Sequence, residues 1–443
     1  MVRIREEVAQ YRSEGWSDMA QKNDLFDDLI DISKSISGLK EPFESLTDTF
    51  LGKTPQGSPE GPTWNPADYK DRPYANSLPC LVCKSEKSGC RACMDACPTG
   101  AIEIEDSSVE ILDTCRKCGV CVGACPTEVF STPRLQPKRA YDAIATAAAA
   151  YERAFVTCTR ALRRVPRANE VVVACVGDIS SETWFSVLAD YPNVSVYLPL
   201  GICDKCRTTT GEAALEEAIA QAERWAGTGL GLEVEAQELT CVKRREYERK
   251  EFMDNIVRTT GITVSKLSPA AAAITTVAQK IRDHSSSIMK LERTLDAACG
   301  VTTHKQRRQL TQGRQLLLST LQSHPDLAGN VVTRVPECDP ASCTMCGECM
   351  KVCPTFACDL VGANGRFAVE PTYCLGCGLC AEVCEPHALT LREHDGSELV
   401  VLDPEAERKA AEAARARKDA EKAKAIAKKK LNKILDQVEK LSD

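Results

Sequence analysis

Hydrophobic and polar positions change rhythm several times along this chain. Between about 140 and 240 short apolar runs alternate with helical stretches. Ala154-Phe-Val-Thr, Val171-Val-Val-Ala and Val194-Ser-Val-Tyr-Leu read as buried strands, and Leu232-Glu-Val-Glu-Ala as a fourth. Ser181 to Ala189 and Glu212 to Trp225 read as the helices between them. That alternation predicts a small parallel α/β domain over 140–240. Residues 242–335 are expected to be a helical region, broken at Gly261 and Gly300, with Leu291, Leu295, Leu316 and Leu317 at helical spacing.

The flanks follow other patterns. Residues 1–76 read as a polar, partly helical extension that lapses into a Gly/Pro-rich linker from Gly52 through Pro73. From 404 to 443 the chain is nearly all Ala, Lys, Glu and Arg, with Leu431, Ile434, Val438 and Leu441 on one helical face. This predicts a charged C-terminal helix, either a solvated tail or a handle for a partner subunit. In 77–135 and 336–395 both periodicities disappear. Short segments there are punctuated by cysteines, too sparse in apolar residues for a large core, and the second stretch repeats the first. The expected fold class is therefore α+β multidomain, with two small cysteine-rich modules flanking the α/β domain and the helical region.

Composition narrows the function classes. The chain has 443 residues, with 63 Asp and Glu against 56 Lys and Arg, so it lacks the basic footprint of a nucleic-acid binder. Its apolar stretches, such as Ala147 to Tyr151, fall far short of the ~20 residues a membrane-spanning helix needs. Met1-Val-Arg-Ile-Arg-Glu-Glu places charges where a signal peptide needs an apolar core, so a cytoplasmic location is expected. There are 25 cysteines and only 5 histidines, which in such a compartment points to metal rather than to disulfides.

Four cysteine runs carry the candidate chemistry. In the second module Cys343-x2-Cys346-x2-Cys349-x3-Cys353-Pro354 is followed by Cys374-x2-Cys377-x2-Cys380-x3-Cys384-Glu-Pro386. The first module contains the regular run Cys115-x2-Cys118-x2-Cys121-x3-Cys125-Pro126 and an irregular one, Cys80-x2-Cys83-x6-Cys90-x2-Cys93-x3-Cys97-Pro98. Three thiolates spaced three residues apart on one tight loop can meet three corners of a [4Fe-4S] cubane, and the fourth corner needs a thiolate from elsewhere. Structural zinc is the competing reading, but zinc takes two Cys-x2-Cys pairs per ion, whereas these runs present threes with a trailing fourth.

Residues 78–130 and 336–392 resemble bacterial-type dicluster ferredoxin domains, down to the trailing Pro98-Thr-Gly-Ala-Ile102. They depart from the pattern at the five-cysteine run and at Glu385, which stands where Pro is usual. In such ferredoxins the cysteine before Pro ligates the other cluster. The resemblance then implies four [4Fe-4S] clusters. Cys343, Cys346 and Cys349 go with Cys384; Cys374, Cys377 and Cys380 with Cys353; and Cys115, Cys118 and Cys121 with Cys97. In the irregular run Cys93 and Cys97 are fixed by the Cys-x3-Cys-Pro ending, Cys125 closes the regular run, and two further ligands come from Cys80, Cys83 and Cys90. The pair Cys80 and Cys83 is favoured there, because Cys-x2-Cys, a longer insert and Cys-x3-Cys-Pro resembles iron-sulfur subunits of multi-subunit oxidoreductases. The insert Lys84 to Gly89 would then loop over the cluster. Single-electron transfer as an oxidoreductase subunit is implied, between a catalytic subunit and a soluble ferredoxin or flavoprotein.

Four further cysteines need their own weighing. Cys158, Cys175, Cys203 and Cys206 fall at or just after the ends of the expected strands, and the carboxyl edge of a parallel sheet is where ligands bind. They form either a fifth metal site, iron-sulfur or zinc, or a set of buried hydrophobes and a redox pair. Cys241, Cys299, Cys338 and Cys358 lack partners at ligand spacing and read as buried thiols. Two other function classes stay open, an oxidoreductase with its own active site in the α/β domain and a redox-responsive interaction protein. The first has no Gly-x-Gly-x-x-Gly phosphate loop or Ser/His/Asp order to support it.

Overall fold

The computed structural model describes residues 63–244, 277–362 and 365–399. Most of the N-terminal extension, the break at Gly261 and the charged C-terminal helix lie outside the described residues.

The first module is built from short pieces. Strand β1 (Tyr74–Ala75) leads into helix α1 (Leu81–Lys84) and helix α2 (Ala92–Ala96); β2 (Ile102–Glu105) and β3 (Ser108–Ile111) form a hairpin; α3 (Val120–Ala124) and β4 (Phe130–Ser131) complete it. β1 pairs antiparallel with β4, and Tyr74 stands opposite Ser131. Pieces this short bury little apolar surface by themselves.

The α/β domain follows. Helix α4 (Pro137–Ala150) starts with Pro at its first position, where a missing N–H costs nothing. It is succeeded by β5 (Ala154–Cys158), α5 (Thr159–Leu162), β6 (Glu170–Val173), α6 (Ser181–Asp190), β7 (Val194–Tyr197), α7 (Gly211–Ala226) and β8 (Gly231–Glu233). The four strands form one parallel sheet in the order β6-β5-β7-β8. Every residue of β5 and β7 is buried, as continuous apolar runs covered on both faces should be. The four strands and two helices expected from the pattern are all present. The apolar stretch Ala147 to Tyr151 proves to be the end of α4.

Two long helices come next, α8 (Val277–Cys299) and α9 (Gln312–Ser323). Leu291, Leu295, Leu316 and Leu317 are all buried. Helix α9 is a strut that touches every other part. At its N-terminus Thr311 caps the Arg314 N–H, and the Glu128 carboxylate of the first module accepts from the N–H groups of Gln312 and Gly313 at 2.8 and 2.6 Å. An acidic group there meets the positive end of the helix. In its middle, Thr320 donates to Ser186 of α6 at 2.7 Å, and just beyond its end His324 meets Asp190 at 2.8 Å.

The second module repeats the first: β9 (Val332–Cys338), α10 (Glu348–Lys351), β10 (Cys358–Val361), β11 (Arg366–Val369), α11 (Leu379–Glu382) and β12 (Leu389–Asp395). β9 and β12 pair antiparallel over seven residues, and β10 with β11 over four. Although the α/β domain separates the two modules in sequence, they touch in space. Leu81 of α1 packs with Val352, Leu379 and Val383, and Cys90 and Cys377 lie against this small apolar cluster. Each such buried Leu or Val is worth about 1.5–3 kcal/mol against exposure. Gly89 N–H donates to Glu382 at 3.2 Å, Lys87 pairs with Glu385 at 2.9 Å, and the Lys84 ammonium sits 5.7 Å from the Phe356 ring centre. The insert Lys84 to Gly89, expected to loop over a cluster, instead reaches across to the second module.

Candidate metal centres

Each of the four cysteine runs wraps a cavity, and each cavity is closed by a cysteine from another run. Cys97 joins Cys115, Cys118 and Cys121. Cys353 joins Cys374, Cys377 and Cys380, and Cys384 joins Cys343, Cys346 and Cys349. The fourth cavity is lined by Cys80, Cys90, Cys93 and Cys125. Cys83, expected to partner Cys80 at this cavity, does not line it, whereas Cys90 does. Cys80 stands at the start of α1 and is buried, whereas Cys83 lies one turn further on and is only half-buried. Cys90 takes the place expected of Cys83.

The local sequence explains the cavities. In each regular run the second residue after the first cysteine and the residue after the second adopt left-handed backbone: Lys117 and Gly119, Met345 and Gly347, Gly376 and Gly378. This pair of reversals bends the loop around the cavity, and glycine takes the second position each time because it adopts such a conformation without strain. The trailing cysteine has its own repeat. In Cys-Pro-Thr the threonine hydroxyl meets the sulfur at 3.8 Å for Cys97, 3.6 Å for Cys125 and 3.7 Å for Cys353. The N–H groups of Ala101 and Val129, four residues on, donate to Cys97 and Cys125 at 3.2 and 3.4 Å. The next left-handed residue is Gly100, Glu128, Phe356 or His387. Hydrogen bonds aimed at sulfur favour the thiolate and tune whatever it ligates.

Burial pushes the other way. It raises the Cys118 thiol to about 11 and the Cys93, Cys349 and Cys377 thiols to about 12. Thiols this apolar stay protonated at neutral pH unless a metal supplies the compensating charge. Among the described residues no three Cys, His, Asp or Glu side chains meet closely enough to hold one ion. All 25 cysteines are free thiols, so no disulfide competes for them.

Two cysteines read from the sequence as idle lie at these cavities. Cys338 lines the one around Cys343 and hydrogen-bonds to it. Cys358 lines the one around Cys374 and hydrogen-bonds to Cys353 and Cys380. Each stands five residues from the nearest run, on a strand, so no ligand spacing signals it. Cys299 is half-buried and Cys241 exposed. A buried cation was also missed: Arg314 of α9 donates to the carbonyls of Thr372 and Pro371 at 3.0 and 2.8 Å and faces Cys374.

Paired cavities cradled by crossed cysteine runs define ferredoxin-type domains. A 4Fe-4S dicluster domain matches residues 88–129, and a 4Fe-4S binding domain matches residues 340–356. The chain therefore carries ferredoxin-type 4Fe-4S domains of the dicluster family. No curated protein and no solved structure matches it. Among the described residues no helix is long and apolar enough to cross a membrane.

Proposed function

We propose that this protein is an electron-transfer subunit that carries single electrons through four [4Fe-4S] clusters, held by the four cysteine sets lining the cavities. When bound, such clusters each exchange one electron with a neighbour. The observation that carries this reading is the junction between modules, where Cys90 and Cys377 lie against the same four side chains, Leu81, Val352, Leu379 and Val383. Within each module the crossed cysteines already join two sets. The junction joins the pairs, so the four sets form one row with an end in each module. The set on Cys118 ends the row in the first module, and the set on Cys346 ends it in the second.

A row with two ends suits a subunit placed between two redox proteins, a catalytic subunit at one end and a soluble ferredoxin or flavoprotein at the other. Cys346 is exposed, which favours its end as a docking point for a soluble carrier. Unpaired thiols in such number favour a reducing compartment, the cytoplasm. Coulometric titration of the anaerobic protein with no partner present tests the proposal. At least four electrons per chain should enter and leave reversibly. Uptake of two or fewer would overturn it.

A further inference from the structure

The parallel sheet delivers four more cysteines to one edge. Cys158 ends β5, Cys175 stands two residues beyond β6, and Cys203 and Cys206 lie in the loop after β7. β5 is flanked by β6 and β7, so the four leave the carboxyl ends of three adjacent strands, the edge where open α/β sheets take ligands. The loop is tied inward. Arg160, in α5 just after Cys158, donates to the carbonyls of Ile202 at 3.3 Å and Lys205 at 2.7 Å. Cys206 N–H closes a turn on the Cys203 carbonyl at 2.9 Å.

Two independent features point to something bound there. Asp178 is buried to 3% exposure, and neither carboxyl oxygen has a hydrogen-bond partner among the described residues. A carboxyl with no partner in apolar surroundings is costly, and this one lies three residues after Cys175 and beside the Cys118 loop, where a Cβ on Gly119 would stand 3.3 Å from its Oδ2. The second feature is a cradle around Cys175. A Cβ on Gly211 would stand 2.4 Å from the Cys175 sulfur, so only glycine lets the start of the 16-residue helix α7 approach that thiol. The positive end of a helix stabilises a thiolate placed against it.

We propose that Cys158, Cys175, Cys203 and Cys206 hold a fifth iron-sulfur cluster at the carboxyl edge of the sheet. Four thiols with no histidine among them supply the all-sulfur ligand set that a [4Fe-4S] cluster takes, and zinc in its place is an outcome the test reads. The site abuts the first module. Thr210 donates to the Ala96 carbonyl at 2.7 Å, and a Cβ on Gly123 of α3 would stand 2.8 Å from the Asp178 carbonyl oxygen. The α/β domain would thus extend the row beyond the set on Cys118. That extension rests on the four-cluster reading, while the metal site itself does not.

The test uses the full-length protein, purified anaerobically, in parent, Cys203→Ser/Cys206→Ser and Cys118→Ser forms, with iron, sulfide and zinc counted per chain alongside Mössbauer spectra. The double variant should lose about 4 of about 20 irons, with matching sulfide and one spectral component, and keep the rest. Retention of the remaining iron reports that it is folded; if it is not, Cys206→Ser alone in the half-buried loop replaces it. Unchanged iron in the double variant, or loss of one zinc with iron unchanged, would overturn the proposal. Iron unchanged in Cys118→Ser would instead count against the ferredoxin sets, whatever the double variant does.

Discussion

The irregular run, Cys80 to Cys97, and the regular run, Cys115 to Cys125, lie side by side in one module and build their cavities differently. In the regular run the loop itself does the shaping, through the left-handed pair Lys117 and Gly119. The irregular run has Lys87 where the first cysteine of the regular spacing would stand, and no residue between Cys80 and Cys97 is left-handed. Cys80, at the start of a helix, lines its cavity in place of that missing thiol. The intervening chain is released from the cavity and docks on the second module instead. The comparison teaches that shaping a cavity and contacting the other module are two jobs, and that the insertion lets one run perform both.

The largest expected effect breaks the comparison at its ligands. Cys90→Ser should cost about 4 irons per chain, while Cys83→Ser should leave iron content unchanged. The opposite result in iron quantitation would restore the Cys80 and Cys83 pair.

The glycines test the shaping. An alanine at Gly119 meets positive φ and would place its Cβ 2.6 Å from Leu135 and 3.1 Å from Asp178, so Gly119→Ala should destabilise by about 2–4 kcal/mol. At Gly89, in the irregular run, the nearest atom is 3.9 Å away, and Gly89→Ala should stay within about 0.5 kcal/mol. Urea denaturation of the anaerobic proteins measures both.

Smaller effects concern charge and hydrogen bonds at sulfur. Arg314 is buried and faces Cys374, and its charge favours the more negative, reduced cluster. Arg314→Gln should lower one reduction potential by about 100 mV, taking an effective dielectric of about 20 and a one-electron conversion of about 59 mV per 1.4 kcal/mol. An EPR-monitored redox titration in which no potential moves would reduce Arg314 to a structural role. Thr127→Val removes the hydroxyl contact to Cys125 and should shift one potential by about 40 mV or less.

Much of this was legible in the sequence, for identifiable reasons. The strands of the α/β domain are continuous apolar runs, so periodicity found them. Three of the expected cysteine sets came from the resemblance to ferredoxins, through the crossing of the cysteine before Pro or before Glu385, and the cavities gather the same residues. What stayed hidden depends on contacts between distant segments. Choosing Cys90 over Cys83 depends on which thiol faces inward from α1. Cys338 and Cys358 are brought to the cavities by strand pairing, not by spacing. Arg314, on a helix far from any cysteine in sequence, and the docking of Lys84 to Gly89 on the second module have no local signature at all.

The central claim is that four separate cysteine sets each hold a cluster. The most direct measurement is iron and acid-labile sulfide per chain in the anaerobically purified Cys203→Ser/Cys206→Ser protein, in which only the ferredoxin-type sets remain. About 16 of each is expected. A value near 8 would mean that one module holds no clusters, and would contradict a continuous row from the first module to the second.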